Sequence, residues 1–219
     1  MYAKDYRNIA WSRLSGHWGV SILAGFVAAL FGASLSSTAS FNLNYQEKIF
    51  ELSPEVAAIL AAIVSVLGIL SFAQFIIGGT VQLGYCRFLL KQQDSEDAKL
   101  QDLFSQFDRF GVGFLQALLR GLYLFFWSLL FVIPGVIKTY SYAMTPFILA
   151  DHPEMTANEA ITASRRLMDG HKWELFCLGF SFIGWHLLSI LTLGILELWI
   201  VPYQNAAYAA FYRSIRNHT

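Results

Sequence analysis

Apolar residues in this chain come in long runs rather than as scattered faces. His17–Ser34, Val56–Ile77, Leu115–Ile133, the stretch from Gly135 to Ala150, Leu175–Leu193 and Ile195–Tyr212 are each predominantly apolar. A helix of about 20 apolar residues crosses ~30 Å of hydrocarbon, so the pattern predicts about six transmembrane helices. The fourth run is short for an untilted crossing and is expected to be thinned or partly re-entrant. Polar stretches lie between the runs: Ser40–Ser53, Lys91–Lys99 and, longest of all, Asp151–Lys172.

Local signals mark the ends of these elements. Ser53-Pro54-Glu55 reads as a helix start, with Ser as the cap, Pro in the first turn and an acid near the positive end. Gly78-Gly79 offers a bend. Thr156-Ala157-Asn158-Glu159 is a capping box, and Gly170 is placed to end the helix that follows it. Tyr2, Tyr6, Ile9 and Arg13 fall at helical spacing before the first run, which suggests a short interfacial helix. Leu100, Leu103, Phe104, Phe107 and Phe110 do the same, with Gln101, Asp102, Gln106, Asp108 and Arg109 opposite, and predict an amphipathic helix lying in the interface. Ala24, Ala28 and Gly32 form a small-residue ridge, matched by Ala57, Ala61, Ser65 and Gly68. Such ridges let helices approach closely in lipid; packing within the chain is the expectation, and dimerisation the other use. A cleavable signal segment ending near Gly32-Ala33-Ser34 is the rival reading of the first run.

The expected fold is therefore all-α: a polytopic helical membrane protein with about six transmembrane helices, short interfacial amphipathic helices and both termini cytoplasmic. It reads as one integral membrane domain over 1–219. Residues 1–16 are the interfacial segment, 17–91 a first hairpin, 92–114 a cytoplasmic loop and amphipathic helix, and 115–150 a second hairpin. A cytoplasmic capped helix over 151–173, a third hairpin over 174–212 and a tail over 213–219 complete it.

Composition supports this class. Hydrophobic residues make up 56% of the chain and charged residues 14%, against about a quarter charged in soluble domains. The formal net charge is zero, so no global field favours nucleic acid. Two cysteines, Cys86 and Cys177, are too few for a disulfide framework and read as reduced packing thiols. Lys and Arg are unevenly distributed. With six crossings, Lys4, Arg7, Arg13, Arg87, Lys91, Lys99, Arg109, Arg165, Arg166, Lys172, Arg213 and Arg216 share one side. Lys48 and Lys138 fall on the other, and Arg120 lies inside a span, placed to snorkel to the headgroups. By the positive-inside rule both termini are cytoplasmic. Arg165, Arg166 and Lys172 are candidate contacts for anionic lipid headgroups, or they serve topology alone.

Two hairpins carry similar offsets. Gly135 is followed three residues later by Lys138, and Gly194 three residues later by Glu197; Pro146 and Pro202 follow in turn. A Lys138–Glu197 ion pair near the outer leaflet would offset the cost of charge within a span. Prolines free backbone carbonyls, and broken mid-membrane helices are where transporters place their sites. The candidate intramembrane polar site is Lys138, Tyr142, Thr145, His186, Glu197, Tyr203, Gln204 and Asn205, with Tyr140 nearby. Proline kinks without a site are equally compatible with a membrane helix. His152 and His171 lie near Glu154 and Glu174, but the spacing is not that of a zinc peptidase. No GxSxG, phosphate-binding loop or CxxC occurs. Catalysis, a metal and a cofactor are accordingly not expected.

WSLLFVIPGVIKTYSYAM, EAITASRRLMDGHKWELFCLGFSFIGWHLL and PYQNAAYAAFYRSI, with the Pro134-Gly135 turn, Ser164, Leu167-Met168, Gly170 and Pro202-Tyr203, carry a resemblance over Leu129–Tyr212. This part resembles the bacterial multi-pass membrane family known as domain of unknown function 975. That family is itself similar to the membrane domain attached to some glycerophosphodiester phosphodiesterases. The resemblance implies a bacterial inner-membrane location and a helical membrane fold. It brings no catalytic residue, because the phosphodiesterase chemistry sits in a separate soluble domain that this chain does not contain. It hints at lipid or lipid-derived ligands by analogy of fold. The expected function is that of a non-enzymatic integral membrane protein binding lipid, peptide or a membrane partner, which includes a second copy of itself. The alternative is a small transporter with a site between the proline-broken fourth and sixth helices.

Overall fold

A computed structural model describes residues 3–14, 18–30, 54–94, 96, 98–130, 132–192 and 194–217. Among these residues there is no strand, so the protein is all-α as expected. The helices are α1 (Ala3–Leu14), α2 (Trp18–Leu30), α3 (Pro54–Gln93), α4 (Phe110–Leu130) and α5 (Val132–Ser141). They continue with α6 (Thr145–Asp151), α7 (Ala157–Leu167), α8 (Lys172–Phe180), α9 (Ile183–Leu191) and α10 (Glu197–Arg216). The expected Ser40–Ser53 loop, the Ser53 cap, Gly32 and the proposed cleavage segment lie outside the described residues, as do the side chains of Ala57 and Ala61.

The core forms where α3, α6 and α10 meet, with α1 laid along α10. Tyr85, Phe88, Phe147, Phe182, Phe211 and Tyr212 are its largest fully buried side chains. Phe147 stacks on Tyr212 at 5.8 Å between centroids, and Tyr6 of α1 meets Phe211 edge-on at 5.3 Å. Tyr6, Ala10 and Leu14 are buried while Lys4, Asn8 and Arg13 face outward. The amphipathic N-terminal helix thus uses its apolar face on the protein's own core.

Two chain stretches, Leu100–Leu129 and Lys172–Leu191, are long and apolar enough to cross a membrane by length and composition; a shorter apolar helix spans Trp18–Ala28. Only 11% and 22% of the two apolar windows are buried. The fourth run is not one helix. It breaks at Tyr142–Met144 into α5 and α6, which span about 15 and 10 Å at 1.5 Å per residue. Pro146 sits in the first turn of α6, where its missing N–H leaves no intrahelical bond unmade. Residues 145–150 are buried in the core. The sixth run is likewise covered: Ile200, Ala206, Ala207, Phe211 and Ile215 of α10 are buried.

Glycines set the closest contacts. A Cβ on Gly79 would stand 2.3 Å from the Gly113 carbonyl oxygen, so the backbones of α3 and α4 touch. Gly79, of the pair read as a bend, is therefore a crossing point, and α3 runs through it. A Cβ on Gly84 would lie 1.9 Å from the Leu103 carbonyl oxygen. That seat holds the segment predicted as a single amphipathic helix. It is instead two 3-10 turns, Leu100–Leu103 and Phe107–Arg109, leading into α4. Asp102 fixes the start of the first turn, because its carboxylate accepts from the Lys99 N–H at 2.9 Å and from Lys91 at 2.6 Å. Leu103 is buried, whereas Phe104, Phe107 and Phe110 face outward.

The small ridge of α2 packs within the chain, though not on the surface expected. Ala24 and Ala28 are buried, and Gly25 faces the Tyr85 hydroxyl and Pro202. Ser65 and Gly68 of the proposed matching ridge are exposed. The capping box of α7 forms as read: the Glu159 carboxylate accepts from the Thr156 N–H at 2.8 Å, and the Glu159 N–H donates back to the Thr156 hydroxyl. Gly170 and Gly194 hold φ of +84° and +85°, a region that favours glycine.

Candidate functional site

The third hairpin joins its polar side chains into a chain of hydrogen bonds. Gly194 turns the backbone between α9 and α10, which brings His186 of α9 against one face of α10. Glu197, Gln204 and Tyr208 are spaced by seven and four residues and so share that face. His186 Nδ1 meets Glu197 Oε1 at 2.9 Å, and its Nε2 meets Gln204 Oε1 at 3.1 Å. The Gln204 amide nitrogen donates onward to the Tyr208 hydroxyl at 2.8 Å. Both ring nitrogens of His186 thus face side-chain oxygens of α10. Tyr208 was not among the residues singled out in the sequence. Its signal was the four-residue step from Gln204.

The remaining candidates separate. Asn205 donates to the buried Tyr85 hydroxyl at 3.2 Å. Tyr203 donates to the Arg7 carbonyl at 3.2 Å and packs edge-on against Phe182 at 5.3 Å, which ties α10 to α1. The Tyr142 ring lies 6.2 Å from that of Tyr123. Thr145 is fully buried and its hydroxyl has no partner. Tyr142, Thr145, Gln204 and Asn205 thus have different neighbours, and the two cavities described below are lined by other residues.

Lys138 is not the partner of Glu197. Its ammonium lies 4.5 Å over the Trp127 ring, and the charges that act on it are those of Arg165 and Lys172. The reason lies in the break after Ser141: Ser164 of α7 donates to the Ser141 carbonyl at 2.9 Å, so α7 packs at the end of α5. Lys138 therefore stands with Arg165 and Lys172 and not across the molecule from them. Arg166 points elsewhere and lines a surface cavity with Glu154, Asn158 and Glu159.

A second polar cluster lay outside the sequence reading. Asp151, at the end of α6, accepts from Arg213 at 3.0 and 3.1 Å, from Tyr212 at 2.9 Å and from Arg216. Arg213 also bridges to Asp94. Burial pushes the Asp151 carboxyl up, but Arg216, Arg213 and Tyr212 outweigh it and hold the carboxyl below its ordinary range. Next to this clasp a cavity of about 400 Å³ is lined by Ile9, Arg13, Gln93, Asp94, Arg213 and Arg216, among others. Only the clustering of opposite charges at the ends of three distant elements could have revealed it.

His152 contacts Glu154 at 3.1 Å and His171 contacts Glu174 at 3.5 Å. Among the described residues no group of three or more His, Cys, Asp or Glu side chains is arranged to hold a metal ion. Cys86 and Cys177 are both free.

No curated protein matches the chain. No solved structure matches it either. The part that holds α5 to α10, and with them the hydrogen-bonded chain and the Asp151 clasp, is what a known family covers: residues 129–219 match the family model described as Protein of unknown function (DUF975).

Proposed function

We propose that this chain is a non-enzymatic integral membrane protein of a bacterial cytoplasmic membrane, crossing it about six times with both termini inside, and that it binds lipid, peptide or a membrane partner. The observation that supports this is the outward direction of its apolar surface. Phe125, Phe126, Leu129, Val136 and Ile137 around the α4–α5 turn are exposed, as are Leu187, Leu188, Ile190, Leu191 and Ile195 around the α9–α10 turn. A soluble core helix hides such residues; contiguous exposed patches of this kind mark surfaces meant for lipid or protein. With six crossings, most Lys and Arg residues gather on the side given to the cytoplasm. The test is extraction: membranes from expressing cells are washed with alkaline carbonate, and the protein is expected in the pellet until detergent is added. Recovery in the carbonate supernatant sinks the reading.

A second reading, a small transporter, draws on the Glu197–His186–Gln204–Tyr208 chain, a run of hydrogen-bonded polar side chains on a hairpin with an apolar exterior. It predicts substrate-independent proton movement or solute uptake in proteoliposomes that His186→Leu abolishes. Equal fluxes with wild type, variant and empty vesicles remove it.

A further inference from the structure

Lys138, Arg165 and Lys172 come from three helices and converge without a matching carboxylate. Two contacts hold them together. The Ser164 to Ser141 hydrogen bond, 2.9 Å, sets Arg165 beside the end of α5. The Tyr140 and Phe176 rings, 6.0 Å apart, set the first turns of α8 against the same helix. Among the described residues, neither Lys138 nor Arg165 has an ion-pair partner. Lys172 has Asp169 at 3.5 Å, a side chain 84% exposed. Like charges on adjoining helices repel one another, and an anion placed among them offsets that cost.

The surroundings say what kind of anion. Trp173 is 71% exposed and stacks on Phe176 at 5.0 Å, and Phe176 is followed by Phe180 at 6.0 Å. This aromatic row leads along α8 from Lys172 toward the exposed apolar surface. On α5, Val136 and Ile137 are exposed beside Lys138. Exposed tryptophan next to cations, with apolar surface continuing beyond, is the arrangement of a headgroup level. A free soluble anion has no use for the apolar row.

We propose that Lys138, Arg165 and Lys172 form a binding site for the phosphate of an anionic glycerophospholipid, whose acyl chains lie along the exposed faces of α5 and α8. The site rests on the reading of the chain as a membrane protein. It includes Lys138 and leaves out Arg166, which faces the acidic cavity on the other side of α7.

The experiment uses the full chain, purified in detergent and mixed with phosphatidylglycerol, phosphatidylcholine or inorganic phosphate, with adducts read by native mass spectrometry. The triple variant Lys138→Gln, Arg165→Gln, Lys172→Gln is expected to lose phosphatidylglycerol binding about tenfold or more while phosphatidylcholine adducts are unchanged. A tenfold loss is about 1.4 kcal/mol, roughly half a kcal/mol per cation removed and within the ~1 kcal/mol that one surface cation supplies. A charge-matched control, Lys4→Gln, Lys99→Gln, Arg166→Gln, is expected to bind as the wild type does. Equal loss in the control, or no loss in the triple variant, overturns the site. Displacement of phosphatidylglycerol by millimolar inorganic phosphate overturns its lipid identity. A thermal midpoint in detergent equal to that of the wild type shows that the triple variant is folded; if it is not, Lys138→Gln alone is read in its place, with about a threefold loss expected. Carbonate washing separates the two failures: a chain that stays in the pellet but binds lipid without these cations fails the site alone, and a chain that washes off fails the membrane reading.

Discussion

The α4–α5 and α9–α10 hairpins read alike in sequence and are built differently. Each has a glycine followed three residues later by a charge. In the first, Gly135 packs tightly, since a Cβ there would lie 2.7 Å from the Ser128 hydroxyl. In the second, Gly194 is open on all sides and holds φ at +85°. The first glycine is needed for space and the second for conformation. The charges differ in the same way. Lys138 lies over Trp127, on the side of Arg165 and Lys172, and Glu197 pairs with His186 of the neighbouring helix. Equal offsets from a glycine did not produce equal roles, because what each charge meets depends on the helices packed alongside.

The contrast can be tested from its strongest tie to its weakest. Asp151 joins the element after the first hairpin to the return helix of the second. Removing its charge leaves Arg213 with Asp94 and deprives Arg216 of its carboxylate, so Asp151→Asn, which gives up several charge-assisted hydrogen bonds, is expected to lower stability by about 3 kcal/mol, read as a drop in thermal midpoint in detergent. The folded carboxyl is held below its ordinary value. The Asp151 contribution is therefore complete above about pH 4, the unfolded value, and is lost as pH falls through the lower folded value. A wild-type midpoint that already declines between pH 7 and 5, and no longer does so in Asp151→Asn, would contradict this assignment.

The next effect belongs to the second hairpin. His186→Leu and Glu197→Leu each leave a polar partner unmatched and are expected to cost about 2 kcal/mol, while the double variant costs less than the sum. Strict additivity would mean that the pair is not coupled. Smaller still are the glycines. Gly194→Ala is expected to cost about 1 kcal/mol through its left-handed backbone and to be partly rescued by Asn at the same position. Gly135→Ala is expected to cost a similar ~1 kcal/mol through overpacking, with relief from Ser128→Gly and none from Asn. Reversed rescues would erase the distinction between the two turns. Lys138→Met is placed last, at under about 1 kcal/mol, the size of one cation–π contact. A larger thermal shift would show that Lys138 holds the fold together.

Much of the architecture was legible because its causes are local. The Thr156–Glu159 box, the left-handed Gly170 and Gly194, and the helix beginning at Pro54 follow from residues that act on their own backbone. The third and fifth apolar runs announced helices with outward-facing surface for a similarly simple reason, their high hydropathy. The candidate site was legible only in part. Glu197 and Gln204 share one face of α10 because spacing along one helix is a property of sequence, and His186 reaches them from α9 through the turn at Gly194. Their separation from Tyr142, Thr145 and Asn205 was not legible, since that depends on neighbours from α3, α4 and α6.

What the sequence by itself determined is the all-α character, the capped ends of α7 and the surplus of outward apolar surface, all consequences of short-range backbone chemistry and of side-chain hydropathy. Tertiary structure alone decided that the fourth run breaks at Tyr142–Met144 and buries α6. It alone brought Lys138 beside Arg165 and Lys172 and knotted Asp151 to Arg213, Arg216 and Asp94. Each of these turns on which helices meet, and charges distant in sequence attract or repel only once packing has set the distance between them.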